Sequence, residues 1–358
     1  MQLFKKSERL IDINLNIMKK TLLLLLLATP AFLASAQDNK TPFLTKSLSA
    51  SAVKDVFVRT SGGSITVSGA TGQEPRIEVY INGNNGNNDL SKDEIQKRLE
   101  ENYTLDIDVH DGELHATARN KRNNIDWRKS LSIGFRIYVN RQSATNLTTS
   151  GGSIHLDNLS GSQNFTTSGG SLHVDNVVGS IKGTTSGGSI HVSNSKQDIE
   201  LVTSGGSISA SNCDGRIRLV TSGGSLKLND LKGTINASTS GGSISASDID
   251  GELVTGTSGG SVNINNMSGS LDASTSAGSI HASMVKVGKY VKIDASSGHV
   301  DLRLPSSQGV DLDVRGDRVS YNGSGFQGEK DKERVVGKVN GGGSLVEVRG
   351  NGSVSVTQ

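Results

Sequence analysis

Over residues 149–292 of this chain apolar and polar positions alternate in a unit of 18 residues that recurs without insertion. With Thr149 as position 1 of the first unit, apolar residues fall at position 6 (Ile154, Leu172, Ile190, Ile208, Leu226, Ile244, Val262, Ile280). They return at position 8, from Leu156 and Val174 to Ala282, and at position 15, from Ile181 to Leu271, with a mixed position 17 that runs from Phe165 to Gly183. Residues two apart share one face of a strand, so each unit predicts two short strands with apolar faces turned inward. Between them stand Ser-Gly-Gly at positions 2 to 4 and an Asn or Asp at position 10 (Asn158, Asn176, Asn194, Asn212, Asp230, Asp248, Asn266), usually followed by Gly at position 13. Glycine and asparagine tolerate left-handed backbone, so both segments read as corners, and the Asn column is expected to hydrogen-bond along the stack.

Each unit opens with TSGGS, or once TSAGS, at Thr149, Thr167, Thr185, Thr203, Thr221, Thr239, Thr257 and Thr275. So short a unit cannot bury its faces alone, and so strict a period places every copy at the same point of one turn. The predicted fold is all-β: a single-stranded β-solenoid, or β-helix, with 18-residue coils and a short helical insertion near the N-terminus. An isolated earlier copy, KDVFVRTSGGSITVSG around Thr60, starts the solenoid and accepts an insertion near 82–103. There Ser91 and Glu94 form a capping box and Leu90 with Ile95 a hydrophobic staple, which predicts a helix over 91–101. Strands are expected near 104–118 and 131–139, and the strand-rich segments VDLRLPSSQGVDLDV and GKVNGGGSLVEVRGNGSVSV close the stack. The expected division is 1–36 upstream extension and signal peptide, 37–50 linker, 51–148 N-terminal coils with the inserted helix, 149–300 regular repeats and 301–358 closing coils.

The first residues change the picture of location and charge. From Met18 the chain reads MKKTLLLLLLATPAFLASAQ, with two lysines, a short leucine-rich run and an Ala34-Ser35-Ala36 cleavage site, which is the pattern of a secretory signal peptide. Its apolar stretch is short for a membrane span and lies close to the cleavage site, the alternative being an uncleaved anchor, and no span is expected after cleavage. Removing residues 1–36 takes away five basic and two acidic residues and leaves 32 basic against 33 acidic. That balance carries no electrostatic footprint for nucleic acid or an anionic membrane. The basic run Arg119, Lys121, Arg122, Arg128 and Lys129 reads as a solvated loop. The lone Cys213 excludes an internal disulfide. It occupies position 11, where other units carry Leu159, Val177, Leu231, Ile249, Met267 and Val285, so it reads as a small buried hydrophobe, the alternative being a reactive thiol.

SGGSITVSG behind its opening strand, SIGFRIYVNRQSATNLTTSGGSI leading into the repeats, the serial TSGGSI phrases and the closing GGGSLVEVRGNGSVSV together carry a resemblance. The chain resembles the bacterial putative-adhesin β-strand-repeat family, a domain of unknown function in exported envelope proteins, over roughly Val53 to Val356. It departs from that family at Val139-Asn140, where Val-Pro is common. The resemblance implies a β-solenoid and an adhesive role.

Candidate chemistry centres on positions 7 and 9: His155 with Asp157, His173 with Asp175, and His191 beside Ser193. These side chains face outward, and in-register stacking sets neighbouring imidazoles about 5 Å apart, close enough to share a divalent metal with a carboxylate. The alternative is a polar ladder on a solvated sheet. The calcium nonapeptide is excluded because Ser-Ile follows Gly-Gly where an acidic residue is needed. No lysine completes a phosphate loop, and no G-x-S-x-G elbow is present. Clustered carboxylates and aromatic platforms of a polysaccharide-cleaving solenoid are scarce. The threonines of position 1 alternate with inward positions 15 and 17, so they are expected to point inside rather than to order ice.

The reading is an exported, non-enzymatic β-solenoid without cofactor, an adhesin-like or envelope scaffold and interaction module in the periplasm or at the surface of a bacterium. Its partners would be glycans, envelope polymers or surface proteins, met through outer positions 5, 7, 9, 14 and 16. The oligomeric state is open. The alternative is a periplasmic metal-binding or ligand-sensing protein using the His/Asp ladder.

Overall fold

The computed structural model describes residues 41–49, 52–69, 72–83, 90–121 and 129–358. The signal peptide and extension, Arg122, Trp127 and Arg128 lie outside the described residues. The chain opens with β1 (Leu44–Ser47), β2 (Asp55–Thr60), β3 (Ile65–Gly69) and β4 (Arg76–Gly83), followed by helix α1 (Lys92–Asn102). Then come β5 (Tyr103–His110), β6 (Glu113–Asn120), β7 (Leu131–Val139) and β8 (Ala144–Thr149). Strand β1 falls within the stretch read as a linker and pairs antiparallel with β4. The region 104–118 is a hairpin, because Asp111 and Gly112 both take left-handed backbone (φ 50° and 84°) and so match the twist of β5 and β6. At the start of α1 the Ser91 hydroxyl accepts the Glu94 amide at 3.2 Å, and Leu99 anchors the helix on the core.

The repeats begin as pairs of strands, β9 (Ile154–Asp157) with β10 (Ser160–Thr166), β11 (Leu172–Asp175) with β12 (Val178–Thr185), and β13 (Ile190–Ser193) with β14 (Lys196–Thr203). From Ile208 each pair fuses into one bent strand: β15 (Ile208–Thr221), β16 (Leu226–Thr239), β17 (Ile244–Thr257), β18 (Val262–Thr275) and β19 (Ile280–Ala295). All are parallel, and from β9 to β18 each residue lies beside the one 18 positions on, as Ile190 beside Ile208 and Ile208 beside Leu226. The closing segment is β20 (Val300–Arg303), β21 (Val310–Asn322), β22 (Phe326–Lys330), β23 (Arg334–Val339) and β24 (Ser344–Thr357). Here β24 runs parallel to β19, β20 and β21, while β23 pairs antiparallel with β21 and β22. The fold is all-β and solenoid-like, a long unclosed sheet with α1 the one helix among the described residues.

The interior is built from positions 6, 8, 11, 15, 17 and 1. Each threonine of position 1 is buried. Its hydroxyl donates to the position-4 glycine carbonyl of the preceding coil at 2.7–2.9 Å and accepts the amide of its own position-4 glycine at 3.2–3.3 Å. Two backbone groups at a tight corner are thereby satisfied inside the wall. That same glycine admits no side chain, since a Cβ on Gly224 would overlap the Gly206 carbonyl, and the pattern repeats from Gly152 to Gly278. At the second corner every Asn or Asp of position 10 has φ between 51° and 58°. Asn176 donates to Asn158 and Asn212 to Asn194, each at 2.6 Å.

Departures from the column pattern are compensated locally. Gln163 at position 15 is fully buried, with its amide donating to the Ser143 carbonyl at 3.1 Å and its oxygen accepting from Thr145 at 2.7 Å. Gly183 at position 17 leaves space that the Phe165 ring fills. The assignment of Val285 to the buried position 11 needs correction. Register shifts between Ile264 and Leu271 seat Met284 opposite Met267, and Val285 is left 58% exposed. The strict period ends there, one residue early.

Candidate interaction surface

Two outer sheet faces offer side chains to solvent. The first carries positions 7 and 9. In-register pairing of β9, β11 and β13 stacks His155 on His173 with ring centroids 4.5 Å apart and planes 1° from parallel, and His173 on His191 at 5.1 Å and 3°. Burial pushes the His155 imidazole below its ordinary pKa; burial first, and then the two flanking rings, does the same to His173. The neighbouring carboxylates serve the ladder. Asp157 accepts from the Asn158 amide at 3.1 Å, and Asp175 accepts from Ser193 at 2.6 Å and Asn194 at 2.7 Å. Parallel rings hold their in-plane lone pairs side by side, not converging on a shared point. Among the described residues no group of three or more His, Cys, Asp and Glu is placed to hold a metal ion. Cys213 is buried, its thiol donates to the Ser211 carbonyl at 3.3 Å, and burial pushes its pKa up, as befits a core side chain.

Beside the His ladder, β4 and β7 carry a compact cluster. The Arg76 guanidinium lies 3.9 Å from the Tyr138 ring centre and donates to Glu78 at 2.7 Å, and Tyr80 donates to Glu78 at 2.8 Å. Burial raises the Glu78 carboxyl, but the hydrogen bonds from Arg76 and Tyr80 outweigh it and the net shift is downward. Arg136 sits 5.0 Å from the Tyr80 ring, so both arginines of this cluster are engaged within the fold.

The second outer face carries positions 14, 16 and 18, and its most informative feature lies at position 16. His115, Phe57, Asn146, Asn164, Lys182, Glu200 and Arg218 stand in one row across β6, β2, β8, β10, β12, β14 and β15, each directly beside the next. At strand spacing the row is roughly 29 Å long. Three grooves follow it. The first, of about 230 Å³, is lined by Phe57, Arg59, His115, Thr117, Arg119 and Asn146 among others. The second, of about 200 Å³, shares Phe57 and Asn146 and reaches Asn164. The third, of about 350 Å³, lies among Lys182, Asp198, Glu200, Arg216 and Arg218. There an acidic coil lies between two basic ones: Arg216 binds Asp198 at 2.6 Å, and Glu200 meets Arg218 at 3.4 Å and Lys182 at 3.8 Å. Being exposed, these pairs contribute little to stability.

The sequence reading set position 16 on the outer surface but missed the continuation of its row through Asn146 and Phe57 to His115. A signal for its start was present, since Val56, Val58 and Thr60 alternate inward and thereby turn Phe57 and Arg59 outward. That β6 would lie beside β2 was hidden, because the two are separated by β3, β4, α1 and β5.

Among the described residues no helix is long and apolar enough to cross a membrane. Residues 193–356 match the model of the Toastrack DUF4097 family, and no curated protein matches the chain. A putative adhesin from Bacteroides fragilis is similar in structure at 14% identity and TM-score 0.30, with 73% of this chain and 96% of that one covered. A putative adhesin from Parabacteroides distasonis shows 13% identity and TM-score 0.29 over 87% and 96%. A putative cell adhesion protein from Clostridium sporogenes shows 12% and 0.20 over 88% and 98%. Residues 193–356, just under half of the chain, are thus similar to the Toastrack DUF4097 family, in line with the resemblance carried by the repeat phrases.

Proposed function

We propose that this chain is an exported, non-enzymatic interaction module of the bacterial envelope, adhesin-like in action, that binds extended polymers along the face of positions 14, 16 and 18. The observation that carries this reading is the straight row from His115 to Arg218 with its three consecutive grooves. A rigid parallel sheet repeats its side chains at a fixed step, which suits a ligand that is itself a repeating chain. Many weak polar contacts along such a row add up through effective concentration. The leader-like run from Met18 to Gln37 supports export.

The test has two arms. Protease added to intact producing cells is expected to remove the chain, and beads coated with the purified chain are expected to attach to glycan-covered surfaces better than beads coated with denatured chain. Protection until lysis would move the module to the periplasm. Failure of the beads to attach to any polymer would refute the binding role.

A further inference from the structure

We propose that the charged residues at positions 12, 14 and 16 form a stacking code, a conformational device that seats each coil on its own neighbour and disfavours a chain that skips one. The hazard lies in the strictness of the repeat. Inward positions 6, 8 and 15 are apolar in almost every coil, and the threonine joint is the same from coil to coil, as Thr203 to Gly188 and Thr221 to Gly206. The core therefore offers little to tell the next coil from the next but one, and strands with interchangeable side chains are prone to slip. A skipped coil forfeits its own burial once folding is complete. While coils are still being added, however, both candidates compete for the same open edge, and side chains that differ between coils must discriminate. Those lie outside.

On the outer surface charge changes sign from one coil to the next. At position 12 Lys196, Asp214, Lys232 and Asp250 stand side by side on β14 to β17, all exposed. At position 16 Glu200 lies between Lys182 and Arg218, and at position 14 Asp198 lies beside Arg216. Each of these neighbouring pairs joins opposite signs. Skipping residues 203–220 would set Lys196 on Lys232 and leave Asp198 on Thr234 and Glu200 on Asn236. Skipping 185–202 would set Lys182 on Arg218. Skipping 221–238 would set Asp214 on Asp250, though it also brings Arg216 to Glu252, so the code is strongest over 185–220. Position 10 does not follow the rule, with Asp230 and Asp248 one coil apart, because residue type there answers to left-handed backbone. Exposed pairs add little against unfolding, yet between two stacking orders with similar inward contacts they decide the choice.

The experiment rearranges position 12 without changing composition, in the full chain carrying Cys213→Val to remove the buried thiol. Asp214→Lys with Lys232→Asp makes the row read Lys, Lys, Asp, Asp, so like charges meet at two native joints and skipping 203–220 gives Lys196 an acidic neighbour. Adding Lys196→Asp and Asp250→Lys reverses every sign and restores the alternation. Two cysteines at position 9, Ser193→Cys and Asn229→Cys, become neighbours when the coil between them is skipped. Strand spacing of about 4.8 Å suits a disulfide, so refolding under oxidising conditions at low chain concentration traps that order for mass spectrometry. Ser211→Cys with Asn229→Cys reports the native order. The half-swapped chain is expected to form the 193–229 disulfide at least about 10-fold more often than the alternating chain, and the fully reversed chain to return to the original level. Where the half-swapped chain refolds poorly, loss of the 211–229 disulfide and its recovery on full reversal support the code. Equal yields in all three chains, none detectable included, overturn it, as does a fully reversed chain that mis-stacks or fails to fold like the half-swapped one.

Discussion

The two corners of each coil share close stacking at a glycine but differ in backbone conformation. At the Ser-Gly-Gly corner the backbone is ordinary and the constraint is space: position-4 glycines stack so closely that a Cβ on one strikes the carbonyl of the next. At the Asn corner conformation is constrained as well, with Asn212 at φ 51°, and at position 13 both constraints act, since Gly215 has φ 127° and a Cβ on it would lie 2.1 Å from the Gln197 carbonyl. The difference explains which substitutions the chain itself contains. Position 3 becomes Ala277 in the last strict unit, because a Cβ at the equivalent Gly259 meets nothing nearer than 3.4 Å. Position 4 is glycine in every strict unit. The conformational corner accepts Asp230, Asp248 and, at position 13, even Gln197 with φ 87°.

The sharpest way to break this contrast is a matched pair. Gly224→Ala should cost about 3 kcal/mol or more, since two backbones must separate, whereas Gly223→Ala should stay within about 0.5 kcal/mol. Urea unfolding followed by circular dichroism reads both, and equal costs would end the distinction. Next in size, Thr221→Val keeps the shape but strands the Gly206 carbonyl and the Gly224 amide, at an expected cost of about 2 kcal/mol. At the other corner, Gln197→Gly should raise stability by about 1 kcal/mol by relieving left-handed strain. A loss on that substitution would mean that Gln197 makes a contact the backbone angle does not reveal.

The smallest effect lies on the flat strand between the corners and is set by pH. Burial lowers the His155 and His173 pKa values in the folded chain, so the unfolded chain takes up protons first. Stability is then full above the unfolded value of about 6.5 and is lost as pH falls through the folded values. Melting temperature should drop on acidification, and His173→Asn should lessen the drop. A variant that melts with an unchanged pH profile would show that the ladder carries no such linkage.

How far the sequence could be read depends on which physical constraint a position obeys. The inward columns were legible because burial repeats with the period, and the Asn corner because few side chains accept positive φ. The threonines were recognised as inward from their alternation with positions 15 and 17. Val285 was misplaced, since a register shift adds no unusual residue type and leaves the apolar count unchanged. The His ladder was legible as a row, but only the structure shows its rings stacked in parallel. The Phe57 groove stayed hidden because its walls come from β2, β6 and β8, and nothing periodic ties residue 57 to residues 115 and 146. Exposed positions obey no packing rule, so the row from His115 to Arg218 varies in type from coil to coil.

The threonine that joins each coil to the preceding one has a consequence for how such a chain can change. Thr203 is bonded to Gly188 and Thr221 to Gly206. Excision of residues 203–220 would therefore set Thr221 over Gly188 and recreate the same joint, and a duplicated unit would do so equally well. The coil is a module of inheritance as well as of structure, and copying number alone can alter the protein's reach, in steps of roughly 4.8 Å, with the threonine joint left intact.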